Sequence, residues 1–191
     1  MKYQEFNTDH TMGKEAEEQA ALMIAHHDKK WIDFQLHTTQ EQQQGGDFTI
    51  VYNDRTDVYD VKCGRTDTGY FYAEIWSNYG NKAGWLVNED IDYIVQVYND
   101  SNYLVKIDFR KLRESLGLKY HSSFQELMYV EANTKFKTSK QQNRFADGRK
   151  ANTGMTINVP WPDMKPYVIE YMKYEKDKLV EKDYVSFICK S

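Results

Sequence analysis

The sequence predicts a fold of the α+β class or a mixed α/β sandwich, and two observations carry that prediction. Apolar residues recur at helical spacing within residues 11–36, where Ala20, Ala21 and Ile24 form one stripe. Several stretches of alternating apolar and polar residues follow, separated by clusters of Gly, Asn and Asp. One helix, then antiparallel strands, then mixed elements is an order typical of these classes.

Length and composition fit a single globular domain. The chain has 191 residues, 40% of them hydrophobic, which is enough for a buried core. Cys63 and Cys189 form no CxxC pattern, so we expect neither a disulfide scaffold nor structural zinc, and we expect a reducing, cytoplasmic compartment. No apolar stretch has the length of a membrane span, and no signal peptide is visible, so we expect no membrane partner.

Local patterns predict the individual elements. Thr11 is expected to cap the first helix, and a polar loop is expected at 38–46. The predicted strands and the helix after them are a hairpin at 45–63 with its turn at 53–56, a third strand at 70–78, a second hairpin of 91–100 and 101–109, and a short helix at 110–117.

The second half of the chain has weaker patterns. Residues 131–154 show no period and are predicted to be irregular, and a short edge strand ended by prolines is expected after them. A helix or strand and a terminal strand complete the chain. We expect one domain at 1–191, with a core at about 11–118 and a C-terminal elaboration at about 119–191.

Charge is distributed unevenly along the sequence. Residues 1–100 carry 8 Lys and Arg against 18 Asp and Glu, whereas residues 101–191 carry 17 against 11. This asymmetry indicates either an acidic site beside a surface for an anionic partner, or solvated faces without a special role.

Three charged residues converge in the predicted hairpin at 45–63. A two-residue turn would place Asp47 opposite Asp60, whereas a four-residue turn would place it opposite Lys62. Asp60 and Lys62 are two positions apart on one strand, so the three side chains share a face in both registers. The alternative is that they are ordinary polar residues of a solvated sheet face.

Two neighbouring carboxylates repel each other unless a proton or a cation offsets their charge. Mg²⁺ prefers oxygen ligands and is commonly held by one or two carboxylates plus water. A lysine beside the ion can position the attacking water or stabilise developing charge on phosphorus. Asp47, Asp60 and Lys62 therefore predict a magnesium site, in which Mn²⁺ can substitute, that hydrolyses phosphodiesters.

The arrangement Asp47…Asp60-Val61-Lys62 resembles the D…(D/E)xK signature of the PD-(D/E)xK nucleases, which include restriction enzymes, Holliday junction resolvases and phage nucleases. The resemblance covers roughly residues 13–98, although Gly46 replaces the usual proline and Asp60 the commoner glutamate. It implies a restriction-endonuclease-like αβββαβ core with a mixed central sheet. It also implies a DNA endonuclease in which both aspartates bind the metal and Lys62 is catalytic.

Members of this superfamily often take a further glutamate from the first helix. Glu17 is favoured because it lies on the side of the apolar stripe, and Glu18 is one position round the helix. Glu17 would complete the metal shell. Glu74, on the predicted strand at 70–78, is either a further catalytic residue or a cross-strand partner of Lys62.

The segment at 131–154 carries six Lys and Arg against two acids. Such side chains contact phosphates, and the polar residues between them can read base edges, so we expect this segment either to grip DNA or to be a solvated loop. Its basic residues are Lys135, Lys137, Lys140, Arg144, Arg149 and Lys150. Enzymes of this type are frequently homodimers, so DNA and a second copy of the chain are the expected partners.

No other catalytic constellation is visible in the sequence. Adjacent His26 and His27 do not share a helix face, and the other three histidines are isolated. Cys63 is expected to be a buried strand residue. Two alternatives to the nuclease are an inactive module of the same fold, phage-encoded, that binds DNA or a protein, and a regulatory protein whose acidic half binds a basic partner.

Overall fold

The computed structural model describes residues 2–42, 45–64, 67–100, 102–118, 123–144 and 150–173. In chain order the elements are α1 (Lys2–His27), β1 (Asp33–Leu36), α2 (Thr39–Gln42), β2 (Phe48–Val51), β3 (Thr56–Gly64), β4 (Tyr70–Asn78), β5 (Lys82–Ala83), a 3₁₀ helix (Trp85–Val87), β6 (Tyr93–Tyr98), β7 (Tyr103–Asp108), α3 (Phe109–Ser115), α4 (Phe124–Asn133), β8 (Lys137–Arg144), β9 (Lys150–Pro160), α5 (Trp161–Met164) and β10 (Val168–Lys173).

The chain forms two compact units, each assembled from separate segments. The six-stranded unit comprises His10–Asp67, Ile91–Ile107 and Ile169–Ser191. The four-stranded unit comprises Met1–Asp9, Thr68–Asp90 and Asp108–Val168. Each unit is named after the sheet that it contains.

The six-stranded unit contains a mixed sheet in the order β1-β2-β3-β6-β7-β10. β1, β2 and β3 form an antiparallel meander, and β6 runs parallel to β3. The predicted α+β class and the mixed central sheet are therefore confirmed. The connection from β3 to β6 contains β4, β5 and the 3₁₀ helix, where the αβββαβ order has an α-helix.

Alternation along the meander explains where α1 packs. Phe48 and Ile50 on β2 and Tyr59 and Val61 on β3 are buried in one cluster with the small apolar stripe of α1. Phe48 and Tyr59 are paired across the strands, and their rings stack with centroids 4.6 Å apart. The intervening residues of β3 project to the opposite face of the sheet.

The first helix differs from the prediction at both ends. α1 already begins at Lys2, so Thr11 lies inside it, and it ends at His27. Trp31 donates from Nε1 to Ala25 O at 2.8 Å, which folds the chain back onto the helix end, and a strand follows where helix was expected. The predicted loop at 38–46 includes the short helix α2.

The four-stranded unit contains an antiparallel sheet in the order β5-β4-β9-β8. Phe71, Ala73 and Ile75 on β4 are fully buried on one face. β4 matches the prediction at 70–78, but a register shift between Glu74 and Trp76 interrupts the alternation, and Trp76 is buried as a result.

Two predictions for the second half of the chain are wrong. Residues 131–154 are not irregular, because they contain the end of α4, all of β8 and the beginning of β9. β9 is not an edge strand, because it lies between β4 and β8, although it does end at Pro160. The predicted terminal strand and the residues 145–149 lie outside the described part of the chain.

Other predictions agree with the structure. β6 and β7 are neighbours in the sheet and form the second hairpin, and α3 ends before Gly117, which has a φ of 80°. The prediction that Cys63 is buried is wrong, because Cys63 lies on β3 but is exposed. Within the described residues, every helix is too short or too polar to cross a membrane.

Candidate active site

Asp47 lies where the β2–β3 ladder ends. The hairpin has the register of a two-residue turn, with Phe48 opposite Tyr59. One step further the ladder is distorted, because Gly46 has a φ of 71° and the N–H of Asp47 donates to Tyr59 O at 2.6 Å. The N–H of Val61 then donates to Asp47 Oδ2 at 2.6 Å, where a regular ladder would supply a backbone carbonyl. The Asp47 carboxylate is therefore fixed to the backbone midway between Asp60 and Lys62.

His37 holds the backbone that presents Asp47. Its ring Nδ1 lies 3.1 Å from Gly46 O, and its Nε2 lies 2.6 Å from Thr49 Oγ1. The backbone N–H of His37 donates to Asp47 O at 2.9 Å. A carbonyl only accepts, so Nδ1 carries a proton, and in the neutral ring Nε2 accepts from the threonine hydroxyl. This role was not predictable from the sequence, in which His37 is an isolated histidine.

Asp60 and Lys62 lie on the face of β3 opposite α1, as their alternation with Tyr59 and Val61 requires. Lys62 Nζ and Asp60 Oδ2 are 2.5 Å apart and form an ion pair, with the two side chains 28% and 13% exposed. This oxygen of Asp60 is buried, and no described residue makes a hydrogen bond of acceptable geometry to it. The short ion pair and the missing hydrogen bond are compatible, because charge attraction depends on distance and a hydrogen bond also on angles.

Gln96 belongs to the same face. The parallel register of β3 and β6 pairs Lys62 with Gln96 and Asp60 with Ile94, and paired residues project to the same side. Gln96 is buried, and its Nε2 donates to Val97 O at 3.3 Å. Sequence analysis missed this residue, although it is the single polar position within the apolar run of β6.

The electrostatic environment of Asp47 disfavours a bare negative charge. Burial raises the pKa of Asp47 from 3.8 to about 7, and the charges of Asp60 and Glu17 act in the same direction. The hydrogen bond from Val61 and the charge of Lys62 oppose this rise. The site contains more carboxylate charge than its own cation offsets.

Glu17 lies within electrostatic reach of Asp47, although α1 packs on the face of β3 opposite Asp60 and Lys62, whereas Glu18 is exposed. The charge of Glu17 acts on Asp47, and its Oε2 accepts from Gln42 Nε2 at 3.0 Å. The exposed Glu18 faces away from the apolar side of α1, as its position one residue further round the helix requires. Of the two helix carboxylates, Glu17 is the one placed to act with Asp47.

These donors fit a hard divalent cation. The charge of Asp60 acts on the Asp47 carboxyl, and the buried Oδ2 of Asp60, which is ion-paired with Lys62, accepts no hydrogen bond from the described residues. Within those same residues, no cluster of three or more His, Cys, Asp or Glu is arranged to hold a metal. A cation held by two carboxylates would take its remaining oxygens from water or substrate, which is the arrangement common for Mg²⁺.

Glu74 belongs to a different compact unit from Asp47, Asp60 and Lys62. It lies on β4 in the four-stranded unit and is half-buried. Gly84 passes so close that a Cβ there would lie 2.3 Å from Glu74 O. A catalytic role for Glu74 stays a prediction.

The predicted DNA-binding residues lie on or beside a β-hairpin. Lys137 and Lys140 are exposed on β8, and Lys135 precedes that strand, with its Nζ 3.6 Å from Asp163 Oδ1. Arg144 ends β8 and is paired in register with Lys150. The remaining predicted cation, Arg149, lies outside the described residues.

Comparison with protein-family models, with curated proteins and with solved structures finds no match to this chain.

Proposed function

We propose that this chain is a metal-dependent DNA endonuclease of the PD-(D/E)xK type. One observation carries the proposal: the carboxylate of Asp47 is anchored on the N–H of Val61, between an aspartate and a lysine that share one face of β3. Buried carboxylates in contact with a lysine are costly in a fold that does not use them, which favours a functional origin.

In the proposed reaction, water attacks phosphorus and a P–O bond of the DNA backbone breaks. Asp47 and Asp60 would hold Mg²⁺ or Mn²⁺, with Glu17 beside them, and the ion would supply Lewis acidity. Lys62 would position the attacking water or stabilise charge on the phosphoryl oxygens. Gln96 would orient the Lys62 ammonium from the neighbouring strand.

The positive charge of β8 and β9 favours DNA as the substrate. β8 and β9 carry four Lys and Arg residues and no acid, which suits the phosphate backbone of DNA. The same hairpin also supports the second candidate, an inactive module of this fold that binds DNA. A cytoplasmic location and a homodimer that cuts two strands belong to the proposal as well.

The test is cleavage of supercoiled and branched DNA with Mg²⁺, with Mn²⁺ and with EDTA. We expect nicking with either ion, none in EDTA, and a rate at least roughly 100-fold lower for Lys62→Ala. Lys29→Ala is the matched control, because Lys29 is an exposed lysine of the same unit. Intact substrates in every reaction, together with a DNA shift in gels, would favour the inactive module instead.

A further inference from the structure

One face of the four-stranded sheet presents two neighbouring aromatic rings. On β4, Tyr70 and Tyr72 are 40% and 38% exposed, whereas Phe71 between them is fully buried on the other face. The centroids of the two tyrosine rings are 6.4 Å apart. Register pairing with β9, in which Tyr70 is opposite Pro160 and Tyr72 opposite Asn158, holds the backbone that carries both rings.

These rings continue into a polar row across the sheet. Tyr72 is paired with Asn158 on β9, and Asn158 is paired with Lys137 on β8, so the three side chains project to one face. Asn158 is buried, donates from Nδ2 to Ser139 Oγ at 2.7 Å, and accepts from Thr156 Oγ1 at 2.9 Å. The hydrogen-bonded asparagine thus forms a rigid floor between a ring and an ammonium.

The charge of this surface indicates an anionic partner. Strands of 8 and 11 residues, β8 and β9, contain Lys137, Lys140, Arg144 and Lys150 and neither Asp nor Glu. Lys137 is exposed on this face, whereas the exposed Lys140 projects to the opposite face of β8. Glu74 lies two positions after Tyr72 on β4 and is half-buried, so its charge favours a phosphate path on the β8 side.

We propose that this face binds single-stranded nucleic acid, with unpaired bases stacked on Tyr70 and Tyr72 and the backbone along Lys137. Cations alone suffice for the phosphates of a duplex, whose base faces are hidden, but exposed rings on a rigid sheet suit unstacked bases. If the chain is the proposed nuclease, its preferred substrate contains an unpaired segment, and this consequence rests on the proposed function.

The test is fluorescence anisotropy with a labelled oligonucleotide and with its duplex, both in EDTA. We expect the wild-type chain to bind the single strand more tightly, and Tyr72→Ala to weaken that binding at least about 5-fold without changing duplex binding. Tyr72→Phe should bind within about 2-fold of wild type, since it keeps the ring and loses only the contact with Thr68 Oγ1. Tyr129→Ala is the control, because Tyr129 is 68% exposed on α4.

A second tyrosine variant and a test of folding distinguish loss of the ring from loss of the fold. Tyr70→Ala should reproduce the loss, and circular dichroism would verify that each variant is folded. Lys137→Ala should weaken both complexes and lower the salt slope of log K by about 1. Unchanged single-strand binding by folded Tyr72→Ala and Tyr70→Ala, or tighter binding of the duplex by the wild type, would overturn the inference.

Because EDTA removes divalent metal, the anisotropy test measures binding in the absence of catalysis. Ring-dependent binding of the single strand by a chain that nicks no DNA would support this inference and remove the proposed function. Metal-dependent nicking by a chain whose binding ignores both tyrosines would leave the nuclease in place and remove this inference.

Discussion

At the scale of single residues, Asp47 determines both the folding cost and the chemistry of the site. Burial, with the charge of Asp60, raises its pKa to about 7, well above the 3.8 of an ordinary aspartate. Its contribution to stability is therefore full below about pH 4 and is lost as the pH rises through 7. A divalent cation would offset the ionised form at neutral and alkaline pH.

Asp47→Asn should stabilise the metal-free protein at pH 8. Asparagine keeps an oxygen that accepts from Val61 N–H, and it removes a charge that burial and Asp60 disfavour. We expect the free energy of unfolding in urea with EDTA to rise by about 1–2 kcal/mol at pH 8, and the gain to shrink at pH 5 and vanish below about pH 4. The exposed control Glu18→Gln should change little at either pH. A less stable Asp47→Asn protein at pH 8 would contradict this account of the site.

Substitutions of the neighbouring residues Glu17 and Glu18 test the role of the helix glutamate. Because the charge of Glu17 acts on Asp47 and Glu18 is exposed, Glu17→Gln should lower the rate of DNA nicking about 10-fold or more, whereas Glu18→Gln should leave it within about 2-fold. Initial rates with saturating Mg²⁺ measure the difference. Equal rates for the two variants would remove the helix glutamate from the site.

At the scale of elements, the site depends on how the β2–β3 ladder ends. Gly46 leaves the strand with a φ of 71°, and a Cβ there would lie 2.6 Å from Val58 Cγ1 and 2.7 Å from Tyr59 O. Both the dihedral angle and the close approach require glycine. The nuclease signature proposed for this chain has proline at this position, where this chain has glycine.

Gly46→Ala should therefore be strongly destabilising. We expect a loss of about 3 kcal/mol or more in urea unfolding, because steric overlap with the β3 backbone adds to the cost of the left-handed conformation. Gly117→Ala, at a φ of 80° with nothing within 4 Å of the added Cβ, should lose only about 1 kcal/mol. Similar losses for the two variants would indicate that β3 yields and that the ladder end is not rigid.

The elements also separate what the sequence could predict from what it could not. The β2–β3 hairpin was predictable from its apolar alternation, but its register was not, because a two-residue and a four-residue turn both fit the sequence. β1 was not predictable, because no residue pattern before Leu36 marks the end of the helix. In the structure, the chain turns back after the helix, where Trp31 contacts Ala25. β8 was missed because its exposed Lys and Gln side chains carry no alternation, and its strand is defined by backbone pairing with β9.

At the scale of the whole molecule, the chain forms its two units from interleaved segments. The parallel strands β3 and β6 are joined through Thr68–Asp90, which belongs to the four-stranded unit. Sequence periodicity contains no signal for such an exchange, because it reports local geometry and not which sheet a strand joins. The charge asymmetry between the two halves of the sequence does not follow these units, because each unit takes segments from both halves.

Metal binding tests the central claim most directly, because it needs no knowledge of the nucleic acid substrate. A cation that binds only the folded chain raises the thermal midpoint by linkage, so Mn²⁺ should raise it for wild type and for Lys62→Ala. Asp60→Asn should show little or no rise, because it removes the carboxylate whose buried oxygen would bind the ion. A wild-type midpoint that is independent of Mn²⁺, or the same rise in Asp60→Asn, would contradict a metal site at the end of the β2–β3 ladder.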